Sequence, residues 1–282
     1  MNRRVAFYAP MKAPTHPNPS GDRRIARLMM KALDRAGWEV KLASRLRSHQ
    51  REGNRAAQEV LFVEAERIAD VLIRRFREEG PPALWFTYHC YYKAPDLIGP
   101  NVSAALGIPY VIAEGYRSRK RLEGPYSRFA EAAERALDRA RIIFHLQGRG
   151  LDALYRDRTE GQEIIHLPPF TALGEAPGPK PAAEGPLRLL TVAMMRRGDK
   201  EESYRALAAA LALLKGDWRL EIIGDGEARV EVEAMFRRFG DRIVWRGLMT
   251  DRDAIRAAYE AAELFLWPGV NEAFGMVYLE AQ

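Results

Sequence analysis

The sequence predicts an α/β protein made of two doubly wound domains, each with a parallel β-sheet. Short apolar runs alternate with longer amphipathic runs along the chain, which is the pattern of repeated βα units. One stretch, FTALGEAPGPKPAAEGP at residues 170–186, is too crowded with proline and glycine for a packed element. The length of 282 residues exceeds a typical single domain. We therefore predict a first domain at residues 1–170, a linker at 171–186 and a second domain at 187–282.

The first part of the chain already shows one complete βαβ pattern. The apolar run Arg4–Tyr8 predicts a strand, and the proline-rich stretch after it predicts a loop. From Asp22 onward the apolar residues recur with the spacing of one helical face, and the pattern stops at Gly37. Trp38–Ala43 then alternates like a second strand. Strands that are joined through a helix in this way pair in parallel.

The same alternation continues through both predicted domains. In the first domain we predict further helices at 55–77, 95–106 and 128–139, and strands at 83–88, 110–113, 142–145 and 163–167. In the second domain we predict strands at 187–193, 218–223, 243–245 and 264–267, and helices at 201–214, 229–239, 252–262 and from Gly275 onward. Ligands of such sheets bind beyond the carboxyl ends of the strands, so we expect a site in a cleft between the domains.

The composition is that of an ordinary globular protein, with 47% hydrophobic and 29% charged residues. No apolar run approaches the roughly 20 residues that a membrane-spanning helix needs. The first residues read as a strand rather than as a signal peptide. Cys90 is the only cysteine, which excludes an intrachain disulfide and suits a reducing compartment. We therefore expect a cytoplasmic protein.

The charge is unevenly distributed between the two predicted domains. Residues 1–170 carry 29 Lys and Arg against 20 Asp and Glu, whereas residues 171–282 carry 15 against 18. A basic first domain could meet anionic lipid, an acidic glycan or a phosphorylated substrate, or it could be a solvated arginine-rich surface. The run RSRKR at 117–121 adds to this surface, so we expect peripheral contact with the inner face of a membrane. No nucleic-acid-binding motif accompanies the charge, and we expect no nucleic-acid partner.

Two acids at the end of the chain, Glu272 and Glu280, stand eight positions apart in WPGVNEAFGMVYLEAQ. Glu272 follows a predicted strand, and a helix is expected to open at residues 273–275. The amides at a helix amino terminus attract anions. Two acids beside such a terminus could accept hydrogen bonds from the hydroxyl groups of a ligand whose phosphates rest on the amides. A nucleotide sugar has this arrangement of groups.

The segment EAFGMVYLE resembles the Glu-x7-Glu motif of family 4 of the retaining GT-B glycosyltransferases. Four other segments are similar to stretches of that family in the same order: PSGDRRIARLM (19–29), IIHLPPF (164–170), EIIGDGEAR (221–229) and VWRGLMTDRDAIRAAYEAAELFLWPG (244–269). The resemblance spans essentially the whole chain. It implies a GT-B fold, in which two Rossmann-like doubly wound domains face a cleft.

The resemblance also implies roles for residues of the second domain. Glu280 would bind the ribose hydroxyls of the donor nucleotide. Glu272, together with the amides near Phe274 and Gly275, would hold hydroxyls of the transferred sugar. Lys200 matches the lysine that reaches the donor diphosphate in the family.

The remaining assignments depart further from the family pattern. Met194 stands where the family often has an arginine, so Arg196 is expected to take that role. Gly21 would let the backbone of the first domain approach the donor phosphates. The family's histidine after a middle strand of the first domain is replaced here by Glu114, which we name as an acceptor-side candidate.

The expected reaction needs no cofactor and no metal ion. A diphosphate leaving group gathers negative charge as it departs, and fixed cations and amides stabilise that charge. Arg196, Lys200 and a helix amino terminus would supply this stabilisation. The 5 histidines are scattered, with none paired at metal-ligand spacing.

The function implied by the resemblance is a metal-independent hexosyl transfer that retains the anomeric configuration. The donor is a nucleotide sugar, and the acceptor is a glycan, a lipid-linked glycan or a small molecule. Two alternatives stay open: a nucleotide-sugar epimerase of similar fold, and a non-catalytic nucleotide-binding protein. A nicotinamide dehydrogenase is disfavoured because no G-x-G-x-x-G sequence follows Arg4–Tyr8.

The second domain is expected to be incomplete. In the family that the chain resembles, further strands and helices follow the acidic motif, whereas this sequence ends at Gln282. A truncated domain of this kind would expose apolar surface.

Overall fold

The computed structural model describes residues 2–18, 20–148, 150–171, 184–272 and 275–282. The chain forms two compact units, Met1–Pro169 and Phe170–Gln282. Each unit contains one sheet whose strands all pair in parallel and are separated in sequence by helices. The predicted α/β class with two Rossmann-like units is therefore confirmed. Most of the predicted linker, residues 172–183, lies outside the described residues.

The first unit contains a six-stranded sheet. Its strands are β1 Arg4–Tyr8, β2 Glu39–Leu42, β3 Leu84–Cys90, β4 Tyr110–Gly115, β5 Ile142–His145 and β6 Glu163–His166. Its α-helices are α1 Gly21–Arg35, α2 Arg55–Glu79, α3 Gly99–Leu106, α4 Ser127–Arg139 and α5 Leu151–Arg156. The strand order is β2-β1-β3-β4-β5-β6, so the order reverses between β1 and β3. Such a reversal is the switch point at which doubly wound sheets bind their ligands.

A buried carboxylate ties the core of the first unit together. Asp96 is 1% exposed, and its Oδ2 accepts hydrogen bonds from Trp85 Nε1 at 3.1 Å and Tyr110 Oη at 2.9 Å. Its Oδ1 accepts from the amides of Ile98 at 2.8 Å and Gly99 at 2.7 Å. Because these two amides are held by the Asp96 side chain, α3 begins at Gly99 rather than at residue 95 as predicted.

The second unit contains a four-stranded sheet. Its strands are β7 Leu187–Val192, β8 Trp218–Ile223, β9 Ile243–Gly247 and β10 Leu264–Phe265. Its α-helices are α6 Asp199–Leu213, α7 Arg229–Phe236, α8 Arg252–Ala261 and α9 Met276–Ala281. The strand order is β10-β7-β8-β9, so the reversal lies between β7 and β10.

Two elements of the second unit end two or more residues earlier than the sequence predicts. The prediction extended β10 to Trp267, but the carbonyl of Leu266 accepts a hydrogen bond from the Thr191 hydroxyl at 2.6 Å, and Pro268 has no amide hydrogen to continue a ladder. The predicted helix 229–239 ends at Phe236, and a 3-10 segment follows that includes Gly240 with a φ of 52°. With a ψ of −131° this glycine is not helical, so it interrupts the 3-10 segment and does not itself end α7.

Replacing Asp96 with alanine is expected to lower the free energy of unfolding of the first unit by about 3 kcal/mol or more, because several buried donors lose their acceptor together. Denaturant titration followed by tryptophan fluorescence measures this change. Asp70→Ala, on the exposed face of α2, is the matched control and should change stability by less than about 0.5 kcal/mol. Equal stabilities of the two variants would contradict the role given to Asp96.

Candidate functional site

The switch point of the second unit brings a cation and an acid together. Lys200 lies in the first turn of α6, which follows β7, and Glu272 lies in the loop that follows β10. Lys200 Nζ and Glu272 Oε2 form an ion pair, and their side chains are 31% and 22% exposed. The ammonium group also lies 5.3 Å from the centre of the Trp267 ring, and Trp267 Nε1 lies 3.4 Å from Glu272 Oε2. The pair therefore has a defined position but remains accessible to solvent.

The loop that carries Glu272 is fastened to α6 by hydrogen bonds. The amide of Val270 donates to Ser203 Oγ at 2.9 Å, and Asn271 Nδ2 donates to Asp199 Oδ1 at 3.0 Å. Asn271 adopts a φ of 51°, a left-handed conformation that asparagine tolerates better than most residues. From the other side, Tyr278 Oη donates to the carbonyl of Trp267 at 2.8 Å. Glu272 is thus carried by a loop that is tied to two helices.

Two glycines pack closely against the backbone of the loop that follows β7. An added Cβ would come within 1.8 Å of the carbonyl oxygen of Ala193 at Gly224, and within 2.2 Å of that of Met195 at Gly226. The amide of Met195 donates to the carbonyl of Asp225 at 3.0 Å. The glycines of this GDG segment, residues 224–226, thus allow close backbone packing beneath the segment that leads to Lys200.

Four other donor-side residues named from the sequence also belong to the second unit. Arg196 is exposed and makes no ion pair with a described residue, whereas the neighbouring Arg197 contacts Glu231 at 3.2 Å. Glu280 lies in α9, where its Oε2 accepts a hydrogen bond from Tyr259 Oη at 3.3 Å. Gly275 has a φ of 58° and directly precedes α9. Phe274 lies outside the described residues. The roles given to these residues remain predictions.

The switch point of the first unit holds a second polar cluster. Asp22, in the first turn of α1, and His89, near the end of β3, lie 2.6 Å apart between Oδ1 and Nδ1. Their side chains are 12% and 15% exposed. His89 has a φ of 63°, which is uncommon for a residue other than glycine. Gly21 begins α1, and an added Cβ there would meet no atom within 4 Å, so packing does not require glycine at this position.

Glu114 lies at the end of the neighbouring strand β4 and belongs to the same cluster. It is 2% exposed and has a φ of 62°. Its Oε2 accepts from the amide of Leu146 at 3.0 Å, and its Oε1 accepts from the hydroxyl of Tyr116. Burial raises the pKa of Glu114 from 4.5 to about 7, against the opposing effects of the Leu146 amide and of nearby His89. The carboxyl group is therefore partly protonated near neutral pH.

The sequence does not predict the pairing of Asp22 with His89. The two residues are 67 positions apart, so no local spacing connects them. A weak signal exists: His89 is a polar residue near the end of the otherwise apolar strand LWFTYHC. Only the strand order shows that this strand end lies beside the loop that follows β1.

Two surface hollows lie at the opposite edges of the sheets. One hollow, of about 440 Å³, is lined by residues that precede β5 and β6, including Arg141 and Glu163. Another, of about 310 Å³, is lined by residues that precede β7, β8 and β9, including Trp218 and Arg242. Parallel sheets bind ligands at their carboxyl edges. We therefore place the candidate sites at the two polar clusters and not at these hollows.

Two further features concern the described parts of the chain. No set of three or more His, Cys, Asp or Glu side chains there is arranged to hold a metal ion. None of the helices in those parts combines the length and the hydropathy of a membrane-spanning segment.

A comparison with protein families gives a match within the second unit. Residues 186–282 match the family model described as glycosyl transferases group 1. This range contains both Lys200 and Glu272. A comparison with curated proteins finds no significant match.

Solved structures resemble the chain over nearly its whole length. The apo form of a lipopolysaccharide outer core galactosyltransferase, WaaB, has a TM-score of 0.62 at 16% identity, over 99% of this chain and 77% of that one. A UDP-forming α,α-trehalose-phosphate synthase from Burkholderia xenovorans has a TM-score of 0.61 at 11% identity, over 100% and 81%. A protein described as a UDP-N-acetylglucosamine 2-epimerase from Listeria monocytogenes has a TM-score of 0.53 at 11% identity, over 94% and 74%. At these identities the likeness concerns the fold, which agrees with the expected GT-B class.

The raised pKa of Glu114 makes stability depend on pH. Between 4.5, the ordinary value, and about 7, the folded chain keeps a proton that the unfolded chain releases. This carboxyl group is therefore expected to lower the free energy of unfolding as pH rises through that range, by about 3 kcal/mol in total. Denaturant titrations from pH 4.5 to 7.5 should show a smaller fall for Glu114→Gln than for the wild type. Glu123→Gln, in the exposed loop after β4, is the control, and its free energy of unfolding should depend on pH as that of the wild type does. The same pH dependence in Glu114→Gln would contradict the raised pKa of Glu114.

Proposed function

We propose that the protein is a glycosyltransferase that moves a sugar from a nucleotide diphosphate to a hydroxyl group of an acceptor. The observation that carries this proposal is the Lys200–Glu272 pair. It lies at the switch point of a sheet whose sequence matches a glycosyltransferase family model, and it joins the loops after β7 and β10. The match and the fold likeness support glycosyl transfer, and the donor and acceptor classes are part of the proposal.

The ion pair suits a site that exchanges partners when a donor binds. A diphosphate carries more negative charge than one carboxylate, so it would compete for the Lys200 ammonium. Glu272, released from Lys200, would then accept hydrogen bonds from the hydroxyls of the sugar. The Trp267 ring lies under the ammonium group and helps to keep Lys200 in position during this exchange. In this proposal Lys200 contacts the diphosphate and Glu272 contacts the sugar, which are the two groups joined by the bond that breaks.

The chemistry requires stabilisation of the leaving group. The bond between the anomeric carbon and the diphosphate oxygen breaks, and its electron pair remains on the diphosphate. The acceptor oxygen bonds to that carbon, and in the retaining reaction that we propose it approaches on the side of the leaving group and passes its proton to a phosphate oxygen. Lys200 and Arg196 would neutralise the charge that develops, in the manner of other preorganised cationic sites.

The remaining donor contacts follow from the resemblance to the retaining family. Glu280 would bind the ribose hydroxyls, and the backbone at Phe274 and Gly275 would hold the transferred sugar. Gly21 would let the first unit approach the phosphates. Because Lys200 and Arg196 already supply two positive charges, we propose that neither a metal ion nor another cofactor is required.

The acceptor side is proposed to face an anionic membrane surface. The loops that follow β2, β3 and β4 carry six exposed cations, together with the half-buried Lys93: Arg45, Arg47, Arg51, Arg119, Lys120 and Arg121. The same loops carry only two exposed acids, Glu52 and Glu123. Each basic side chain near an anionic lipid surface contributes about 1 kcal/mol to association. A glycan linked to a lipid is the acceptor that fits this surface, in a protein peripheral to the cytoplasmic face of a membrane.

The proposal is tested by incubating the protein with UDP-, GDP- and ADP-linked hexoses and following the release of nucleoside diphosphate. One nucleotide class is expected to support release, and EDTA should leave the rate unchanged. Lys200→Met should lower kcat by about 10²- to 10³-fold, because it removes a charge that stabilises the leaving group. Arg197→Met, in the loop just before α6 and paired with Glu231, is the control and should retain the wild-type rate.

Several results would overturn the proposal. A sugar that changes configuration while it stays attached to its nucleotide would indicate an epimerase, the activity described for one protein of similar fold. Nucleotide binding without release, with every acceptor supplied, would indicate a binding protein. A Lys200→Met rate equal to that of Arg197→Met would remove Lys200 from the site. An inverted anomeric linkage in the product, detected by proton NMR, would contradict the proposed retention of configuration but not the proposed sugar transfer.

A further inference from the structure

We propose that Trp267 is a positioning residue of the donor site, one that holds the Lys200 ammonium and the Glu272 carboxylate where an incoming donor meets them. The inference rests on the proposed function, because it concerns the same pair of side chains. In that proposal Lys200 contacts the diphosphate and Glu272 contacts the sugar. Trp267 contacts neither group of the donor, and it acts through the two side chains that do.

The indole of Trp267 meets the two charged groups with two different parts of its ring system. The Lys200 ammonium lies 5.3 Å from the ring centre, a distance at which the face of an indole attracts a cation. The ring nitrogen Nε1 lies 3.4 Å from Glu272 Oε2, and the hydrogen on this nitrogen can only be donated. One side chain therefore attracts the cation through its face and the carboxylate through its edge.

The indole can orient its neighbours because it is itself fixed in the core. Trp267 is 6% exposed, and its ring meets the ring of Tyr204 edge-on, with 5.0 Å between the ring centres. Tyr204 is fully buried, and its hydroxyl donates to the carbonyl of Ala193 at 2.8 Å. An indole is rigid, whereas lysine has a flexible four-carbon stem. Trp267 is therefore the fixed member of a group in which Lys200 and Glu272 are partly exposed.

The backbone of Trp267 is fixed from α9 by a second aromatic residue. Tyr278 Oη donates to the carbonyl of Trp267 at 2.8 Å. An added Cβ at Gly269 would overlap the Tyr278 hydroxyl, and one at Gly275 would overlap its ring, so both glycines leave the space that Tyr278 fills. Burial and then the negative charge of Glu272 raise the pKa of Tyr278, which keeps its hydroxyl protonated as a donor. Tyr278 thus supports the segment from which the indole projects.

A neutral partner suits the exchange that the proposed reaction requires. A second carboxylate beside Lys200 would neutralise the ammonium and weaken its attraction for the diphosphate. The face of an indole holds a cation without neutralising it. When the diphosphate replaces Glu272 at the ammonium, the ring contact remains, and the indole N–H remains available to the released carboxylate. Trp267 therefore restrains both groups in the state in which they no longer restrain each other.

A second tryptophan of the same sheet separates positioning from packing. Trp218, at the start of β8, is 2% exposed, and the Arg242 guanidinium lies 5.1 Å from its ring centre. Its Nε1 makes no hydrogen bond with a described residue. Trp218 thus matches Trp267 in burial and in its contact with a cation, but it lies at the amino edge of the sheet, away from the Lys200–Glu272 pair. It provides the matched control.

The test compares kcat and the donor KM among variants of the full chain, with the nucleotide sugar that supports turnover. Trp267→Leu should lower kcat about five- to tenfold, the factor that corresponds to the loss of one cation–π contact. Trp267→Phe keeps an aromatic face without the N–H, so it should restore kcat to within about threefold of the wild type while the donor KM rises. Trp218→Leu should keep the wild-type kcat per folded molecule, with the folded fraction measured by circular dichroism.

A double-mutant cycle shows whether Trp267 acts through Lys200. In the Lys200→Met background, Trp267→Leu should lower kcat by less than about twofold, because the cation that the ring holds is already absent. A purely structural tryptophan would lower kcat by the same factor in both backgrounds. An equal factor, or a kcat for Trp267→Leu that equals that of Trp218→Leu, would overturn the inference.

A readout without turnover distinguishes failure of this inference from failure of the proposed function. Each of the 5 tryptophans gives one indole N–H signal in a heteronuclear NMR spectrum of the isotope-labelled chain, and the signal that Trp267→Phe removes belongs to Trp267. Lys200→Met and Glu272→Gln should each shift this signal, whereas Arg197→Met should not. If it shifts but no nucleotide sugar is turned over, the proposed function fails, while Trp267 still holds the pair. A signal that neither variant shifts would disprove the positioning role even in an active transferase.

Discussion

The reversal of strand order within each parallel sheet decides where this protein can do chemistry. Loops from the two strands that flank a reversal diverge, so their ends leave a crevice into which side chains can converge. In the second unit the reversal between β7 and β10 brings Lys200 to Glu272, although 72 positions separate them in sequence. In the first unit the reversal between β1 and β3 brings Asp22 to His89. The reversal of strand order therefore accounts for the position of both polar clusters.

The two clusters differ in electrostatics and therefore in the ligands that they suit. Lys200 pairs with an acid that a diphosphate can replace, and Arg196 beside it makes no ion pair with a described residue, so this site has positive charge to offer. In the first unit, two carboxyl groups face one imidazole, and burial keeps Glu114 partly protonated.

Much of the fold could be predicted because hydrophobic periodicity is local. The alternation of short apolar runs and amphipathic helices gave β5 and β8 their observed bounds. Lys200 and Glu272 could be named because each lies in a segment similar to a known motif. Element ends were less predictable where tertiary contacts decide them, as at α3, whose first amides are held by Asp96. The Asp22–His89 pair and the pKa of Glu114 depend on strand order and burial, which no local pattern contains.

Hydrogen exchange of the full chain in saturating UDP, GDP or ADP tests most directly whether the β7/β10 switch point is the donor site. One nucleotide is expected to slow exchange at residues 193–200 and 266–272, the loops that carry Lys200 and Glu272. Residues 215–218, at the amino edge of the same sheet, should exchange at an unchanged rate. Protection of that amino edge, or nucleotide binding that leaves both switch-point loops unprotected, would contradict the account.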